Sequence, residues 1–214
     1  MIEITPWTQI ESTELFRMAR LVIFDNSDYR ELTYHNWSHV KSMYQYLADT
    51  NEPYDEALDW AVLFHDIVYD EKPEKELRSA KVFVNMVERY EGCNLHPAEK
   101  GSVYSLIMRT VDHVVMPEVK GSSAIIRADL HGLTNRLTSF KTYGSIMEES
   151  MNLFGIDEAT FAKNNYHFMG GLRSRVATNT VLDPDHGQFY LDVANVGISL
   201  TMQLSQLMQG NHNA

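Results

Sequence analysis

The chain has 214 residues, 44% of them hydrophobic, which suffices for one well-filled core, so a single domain over 1–214 is expected. Its 18 basic against 29 acidic residues leave a net charge of −11, which argues against a nucleic-acid backbone or an anionic membrane surface as partner. Cys93 is the single cysteine, excluding an intrachain disulfide; with no basic-then-apolar leader and no apolar run near the roughly 20 residues of a membrane span, a cytoplasmic location is expected.

In chain order, Leu15, Met18, Ala19 and Val22 mark one face of a helix from Ser12 to Phe24, which Asp25-Asn26-Ser27-Asp28 ends. Trp37, Val40, Met43, Tyr44 and Leu47 recur at helical spacing and predict a helix from Asn36 to Asp49. The next, Tyr54 to Val68, follows Pro53 and is apolar around most of its surface, the mark of a central helix. Glu74 to Tyr90 carries Leu77, Ala80, Phe83, Val84 and Val87, and Gly92-Cys93-Asn94 interrupts the pattern. Pro97 suits the first turn of a helix reaching Asp112. Short apolar Ser122–Leu130 follows, then Asn135–Phe154 with Gly155 as its C-cap, and a helix that Asp157 caps and that runs to Arg175. The last spans Phe189 to Met208, with Met202, Leu204, Leu207 and Met208 available either to the core or to a homo-oligomer contact. Period-2 patterns are nearly absent, so the expected fold is all-α, one bundle of seven to nine helices with core motifs at 34–130 and completing helices at 135–209.

The chemistry gathers around Leu63-Phe64-His65-Asp66, where an apolar run ends in an imidazole and a carboxylate. Burying that pair without a partner is costly, and a shared cation would satisfy both. Upstream stands Tyr34-His35-Asn36-Trp37-Ser38-His39, downstream Ala128-Asp129-Leu130. His39, His65, Asp66 and Asp129 are therefore the candidate metal ligands: two imidazoles and two carboxylates, a set for Mn, Fe, Co, Ni, Zn or Mg, with one or two ions per chain left open. His35 precedes His39 by four residues, so on a helix both would share a face. Neither Gly-x-x-x-x-Gly-Lys nor Gly-x-Ser-x-Gly occurs.

These motifs resemble the HD-domain superfamily of metal-dependent phosphohydrolases. Tyr34 to Val40 is similar to the first metal motif of its cyclic-nucleotide phosphodiesterases. The longer pattern resembles a small bacterial and phage group of predicted HD phosphohydrolases, through Trp60 to Asp70, Glu76 with Ser79-Ala80, and Ala128-Asp129-Leu130. The resemblance is specific over 34–80 and around 129. Leu32 stands where that group usually has Arg, and Lys75 where it has Asn.

The resemblance implies an HD-type helical bundle and attack of water, activated by the metal, on a phosphate ester or phosphoanhydride of a small molecule, with nucleotides the expected class. It makes His39, His65, Asp66 and Asp129 the ligands and His35 the acid that protonates the leaving group. Asp70 matches the Asp of a Glu-Asp pair in the superfamily's guanosine-tetraphosphate hydrolases, although Tyr69 replaces the Glu; Asp70 and Glu76 complete the candidate catalytic set. His113 is a candidate for a second metal or for phosphate. Lys41, Lys75, Arg78, Arg109, Arg127, Arg173 and Arg175 are candidates to meet a phosphorylated substrate. Two other readings stand beside this one: a mixed-valent di-iron oxygenase of the same superfamily, which needs further His ligands, and a non-catalytic module holding a structural metal.

Overall fold

The computed structural model describes residues 7, 32–70, 72–89 and 95–210, the side chains of 207, 208 and 210 excepted. Among the described residues there are eight α-helices and no strand, as the all-α reading expects. They are α1 (Trp37–Asp49), α2 (Glu56–Phe64), α3 (Lys75–Arg89), α4 (Pro97–Asp112), α5 (Ser122–Leu130), α6 (Arg136–Phe154), α7 (Glu158–Leu182) and α8 (Gly187–Gly210). Single 3₁₀ turns lie at His131–Leu133 and Pro184–His186. The helix expected over Ser12–Phe24 lies outside the described residues. No helix among those described is long and apolar enough to cross a membrane. The described residues cluster into two compact units, one within 1–111 and 116–129, the other within 112–115 and 130–214.

In the first unit, α1 starts where Asn36 accepts from Ser38 N at 2.7 Å and donates back to Leu32 O at 2.8 Å. Its inner face is His39, Val40, Met43, Tyr44 and Leu47. Asp55 caps α2 through Leu58 N, and every residue from Leu58 to Phe64 is buried. This helix is shorter than the expected Tyr54–Val68. Asp55 is spent as the cap, and after His65 the chain tightens into a turn in which Ile67 N reaches Phe64 O. Trp60, Phe64 and Phe83 form a ring cluster, with centroids 5.5–5.7 Å apart, that locks α2 on α3. The turn after His65 is tied to α3 as well: Val68 N donates to the buried Ser79 Oγ at 3.1 Å.

Helix α5 enters through a turn closed by Met116 N donating to Ser122 Oγ, with Gly121 at φ +83°, a value that suits glycine. Arg127 of α5 is buried. It pairs with Glu52 at 2.8 Å and reaches Ser123 Oγ at 3.1 Å and Tyr46 Oη at 3.3 Å. Glu52 is itself held by its carbonyl, which accepts from Trp7 Nε1 at 2.7 Å. The Trp7 ring packs against Tyr54 and Tyr44.

In the second unit, α7 and α8 pack along each other and carry most of the core, including Phe161, Leu172, Val176, Tyr190 and Val193. Asn135 caps α6 and Gly155, at φ +61°, ends it; Asp157 caps α7. Helix α7 continues to Leu182, seven residues beyond the expected Arg175. The β-branched residues after Arg175 weaken the helical signal, but Val176 and Asn179 are buried and keep the helix in register with its neighbours. Asn179 also holds the segment 112–115: its Oδ1 accepts from Val115 N and its Nδ2 donates to His113 O.

Asp59 is a buried carboxylate that accepts from Tyr44 Oη at 2.5 Å and Tyr54 Oη at 3.0 Å. Burial raises its pKa from 3.8 to about 6, against the two phenol hydrogen bonds, which favour the ionised form. The folded chain therefore binds this proton more tightly than the unfolded chain does. The contribution to stability is full below pH ~4 and is lost as pH rises through about 6, up to about 3 kcal/mol in all. Asp59→Asn removes the charge and retains an acceptor. The melting temperature of this variant relative to wild type, measured from pH 4 to pH 7.5, is expected to rise with pH; a constant difference would contradict the assignment.

Candidate metal centre

Three helices of the first unit supply the donors. His39 projects from the buried face of α1, His65 is the C-cap of α2, and Asp129 is the penultimate residue of α5. One ligand atom from each lies within 4.8 Å of the others. His39 Nε2 is 3.3 Å and His65 Nε2 3.8 Å from Asp129 Oδ1. Asp66 stands beside this group rather than within it, with Oδ2 2.9 Å from His65 Nε2. The two imidazoles are 5% and 1% exposed, whereas Asp66 and Asp129 are half-buried and form the wetter side.

The His65 tautomer follows from its neighbour. Nδ1 is 3.0 Å from Val62 O, and a carbonyl only accepts, so Nδ1 carries a proton and Nε2 turns toward the carboxylates. This is the usual arrangement of a metal-ligating imidazole, oriented by a bond on its far nitrogen. The Nε2 atoms of both His39 and His65 are buried and make no aligned hydrogen bond. Their carboxylate neighbours are near enough for charge but off the direction an N–H would need. Two buried nitrogens and a carboxylate oxygen converging in this way suit one divalent cation.

Electrostatics point the same way. Burial disfavours a charged His65, yet the Asp66 and Asp129 carboxylates outweigh it and raise its pKa to about 9. Burial pushes His39 down, in spite of Asp129. Burial would raise Asp66, but the adjacent His65 holds it well below the usual carboxylate range. The cage therefore favours positive charge at its centre.

The remaining expected residues divide. His35 lies at the edge of the cluster, 14% exposed, with Nε2 3.9 Å from Asp66 Oδ2. Asp70 faces α3: both of its oxygens are engaged by Arg78, one at 2.8 Å, and it accepts from Lys72 N at 2.9 Å. The Arg78 hydrogen bonds lower its pKa to about 2. Arg78 further donates to Pro73 O and Lys72 O, so the pair staples the loop entering α3. Glu76 sits half-buried in the first turn of α3, outside the three-donor group. His113 belongs to the second unit, where it is buried with φ +53° and its carbonyl is held by Asn179. Of the basic candidates, Arg78 and Arg127 serve carboxylates of the fold, and Lys75 Nζ lies 3.8 Å from the centre of the Tyr69 ring.

Tyr69 stands in the Trp60–Asp70 pattern and where the guanosine-tetraphosphate hydrolases have Glu, but neither gives it a role of its own. Its ring stacks on His35, centroids 3.7 Å apart at 18°. An aromatic three residues after Asp66, in a turn beside a polar cluster, was the available signal. Ser79 likewise appeared only as part of a pattern, and its task is to hold the turn that presents Asp66.

Comparisons of the chain with protein-family models, curated proteins and solved structures find no match. Titration with Zn²⁺ or Mn²⁺ is expected to raise the melting temperature, by about 3 kcal/mol of stabilisation at a hundredfold excess over Kd. His65→Ala and Asp129→Ala should abolish that rise. Arg127→Met, which loosens α5 without touching a donor, should weaken metal affinity about tenfold or more. Isothermal titration would measure both effects, and unchanged affinity in all three variants would contradict the site.

Proposed function

We propose that the chain is a metal-dependent hydrolase of a phosphate ester or phosphoanhydride in a small molecule, with nucleotides the favoured class. The observation that carries the reading is the convergence of His39, His65 and Asp129 with a second carboxylate, Asp66, and a partly exposed imidazole, His35, at its edge. The resemblance of the His35–His39, His65–Asp66 and Ala128–Leu130 motifs to HD phosphohydrolases supports it.

In this reading His39, His65, Asp66 and Asp129 hold the cation. When bound, a divalent cation supplies Lewis acidity toward the phosphoryl group and acidifies water at neutral pH. The buried walls around His39 and His65 exclude bulk water and keep the donors in place. The half-buried carboxylate side leaves the approach for substrate. His35 delivers a proton from its ring to the leaving oxygen, and its place beside Asp66 keeps it within reach of the cluster. Asp70 acts through Arg78 by fixing the segment between Asp66 and α3. Glu76 and His113 are assigned no step.

One three-donor group among the described residues favours a single cation over the pair that a di-iron oxygenase requires. A purely structural metal has no use for a partly exposed imidazole held beside its ligands.

Elemental analysis of the purified protein, with Asp66→Ala as control, should give about one equivalent of a divalent metal that the variant loses. The metal-loaded protein should release phosphate or cleave the diester in a nucleotide panel. His35→Ala should lower kcat by about 10²–10⁴ on nucleotides while metal content and melting temperature stay unchanged. A metal-loaded protein that cleaves no phosphate ester or anhydride would contradict the hydrolase.

A further inference from the structure

We propose that Tyr69 is a positioning residue, its ring clamped between Lys75 and His35 so that the imidazole of His35 is held toward Asp66. This deepens the hydrolase reading and rests on it for the role of His35.

The geometry starts from the turn that follows the metal-binding dipeptide. Phe64 ends α2, and Val68 N is bonded to Ser79 Oγ. Tyr69 is therefore delivered beside α3 by a tethered backbone, and Asp70 is pinned next to it by Arg78. On one side the Tyr69 ring lies nearly parallel to His35, with centroids 3.7 Å apart and planes 18° apart. Lys75 Nζ lies 3.8 Å from the centre of the same ring. Neither group can approach in the ring plane without colliding with its edge, and a stacked imidazole and an ammonium at these distances would overlap on one face, so they occupy opposite faces. Tyr69 is thus covered on both faces and offers no platform for a nucleobase, the obvious role for an exposed aromatic near a nucleotide site.

The stack acts on His35 instead. An imidazole has broad freedom about its last side-chain bond. A parallel ring at van der Waals contact restricts that freedom, and the Tyr34 ring, 4.8 Å away and nearly perpendicular, bounds the imidazole again. His35 Nε2 is left facing Asp66 Oδ2 at 3.9 Å. The ammonium of Lys75 keeps the Tyr69 ring pressed from behind through its attraction to the π face. A proton donor held in this way needs no reorganisation before transfer.

The test compares leaving groups and reads the ring directly. A 4-nitrophenyl ester expels a stable phenolate without help from an acid, whereas a nucleoside 5′-phosphate expels an alkoxide that needs a proton. With the Mg²⁺- or Mn²⁺-loaded 214-residue chain, Tyr69→Leu should lower kcat on nucleoside 5′-phosphates about tenfold to a hundredfold with KM unchanged. It should affect 4-nitrophenyl phosphate and bis(4-nitrophenyl) phosphate far less. Tyr69→Phe, which retains the ring, should restore the nucleotide rate to near wild type. In the Mg²⁺-loaded protein, the His35 ring protons should move downfield in proton–carbon correlation spectra of Tyr69→Leu as the shielding of the stacked ring is lost. They should stay in place in Tyr69→Phe. Unmoved His35 resonances, an equal loss on both leaving groups, or a rise in KM alone would overturn the proposal and leave the hydrolase standing. A wild-type protein inert toward every ester would overturn the hydrolase, and the His35 role with it.

Discussion

The first unit depends on the problem of housing two imidazoles and two carboxylates where water cannot solvate them fully. His39 and His65 are sealed in, and their free ring nitrogens meet carboxylate oxygens at 2.9–3.8 Å without hydrogen-bond alignment. Leaving buried polar atoms in that condition is costly unless a further charge sits among them. A divalent cation is the economical answer, because it accepts both nitrogens and an oxygen at once and needs no N–H direction.

The surrounding structure fixes where each donor points. Helix α2 is buried on every residue from Leu58 to Phe64, so its end cannot drift, and His65 stands at that end. The Val62 carbonyl then chooses the tautomer. Helix α1 turns His39 inward because Val40, Met43, Tyr44 and Leu47 share its buried face. Helix α5 is held by Arg127, which Glu52 and Tyr46 grip two residues before Asp129. Burying a long charged side chain is costly unless it is paired, and the Glu52 carboxylate and the Tyr46 hydroxyl supply that pairing for Arg127. Around the wetter edge, Ser79, Arg78 and Lys75 of α3 organise the turn from Asp66 to Asp70, so α3 serves the site through contacts and not through ligands.

Much of this was legible residue by residue. The helical periods of Trp37–Leu47 and Leu77–Val87 translate into α1 and α3, and Pro97, Asn135, Gly155 and Asp157 mark helix ends where the structure has them. The His-Asp dipeptide at the end of an apolar run, with His39 and Asp129 elsewhere, marked candidate donors, since only a few residue types bind a hard or borderline cation, and three of the four, His39, His65 and Asp129, converge. The boundaries of α2 and α7 were less legible. Asp55 caps α2 directly after Pro53-Tyr54, where the apolar pattern already reads as helix, and Asn179 carries a task, a strap on the segment 112–115, that propensity does not encode. The partner of Asp70 was hidden as well, since Arg78 is eight residues away and only the loop before α3 brings the two together.

Composition, charge and pattern by themselves determined that this chain is helical, that it is strongly acidic, and that it carries two histidines and two aspartates of the types that can hold a metal. These properties depend on residue type and local period, which a sequence carries in full. Tertiary structure alone decided that His39, His65 and Asp129 converge, that Asp66 stands beside them, that Asp70 faces Arg78, and that Tyr69 lies between His35 and Lys75. Each of those facts is a distance between side chains whose directions are set by packing, and no local preference of the chain specifies it.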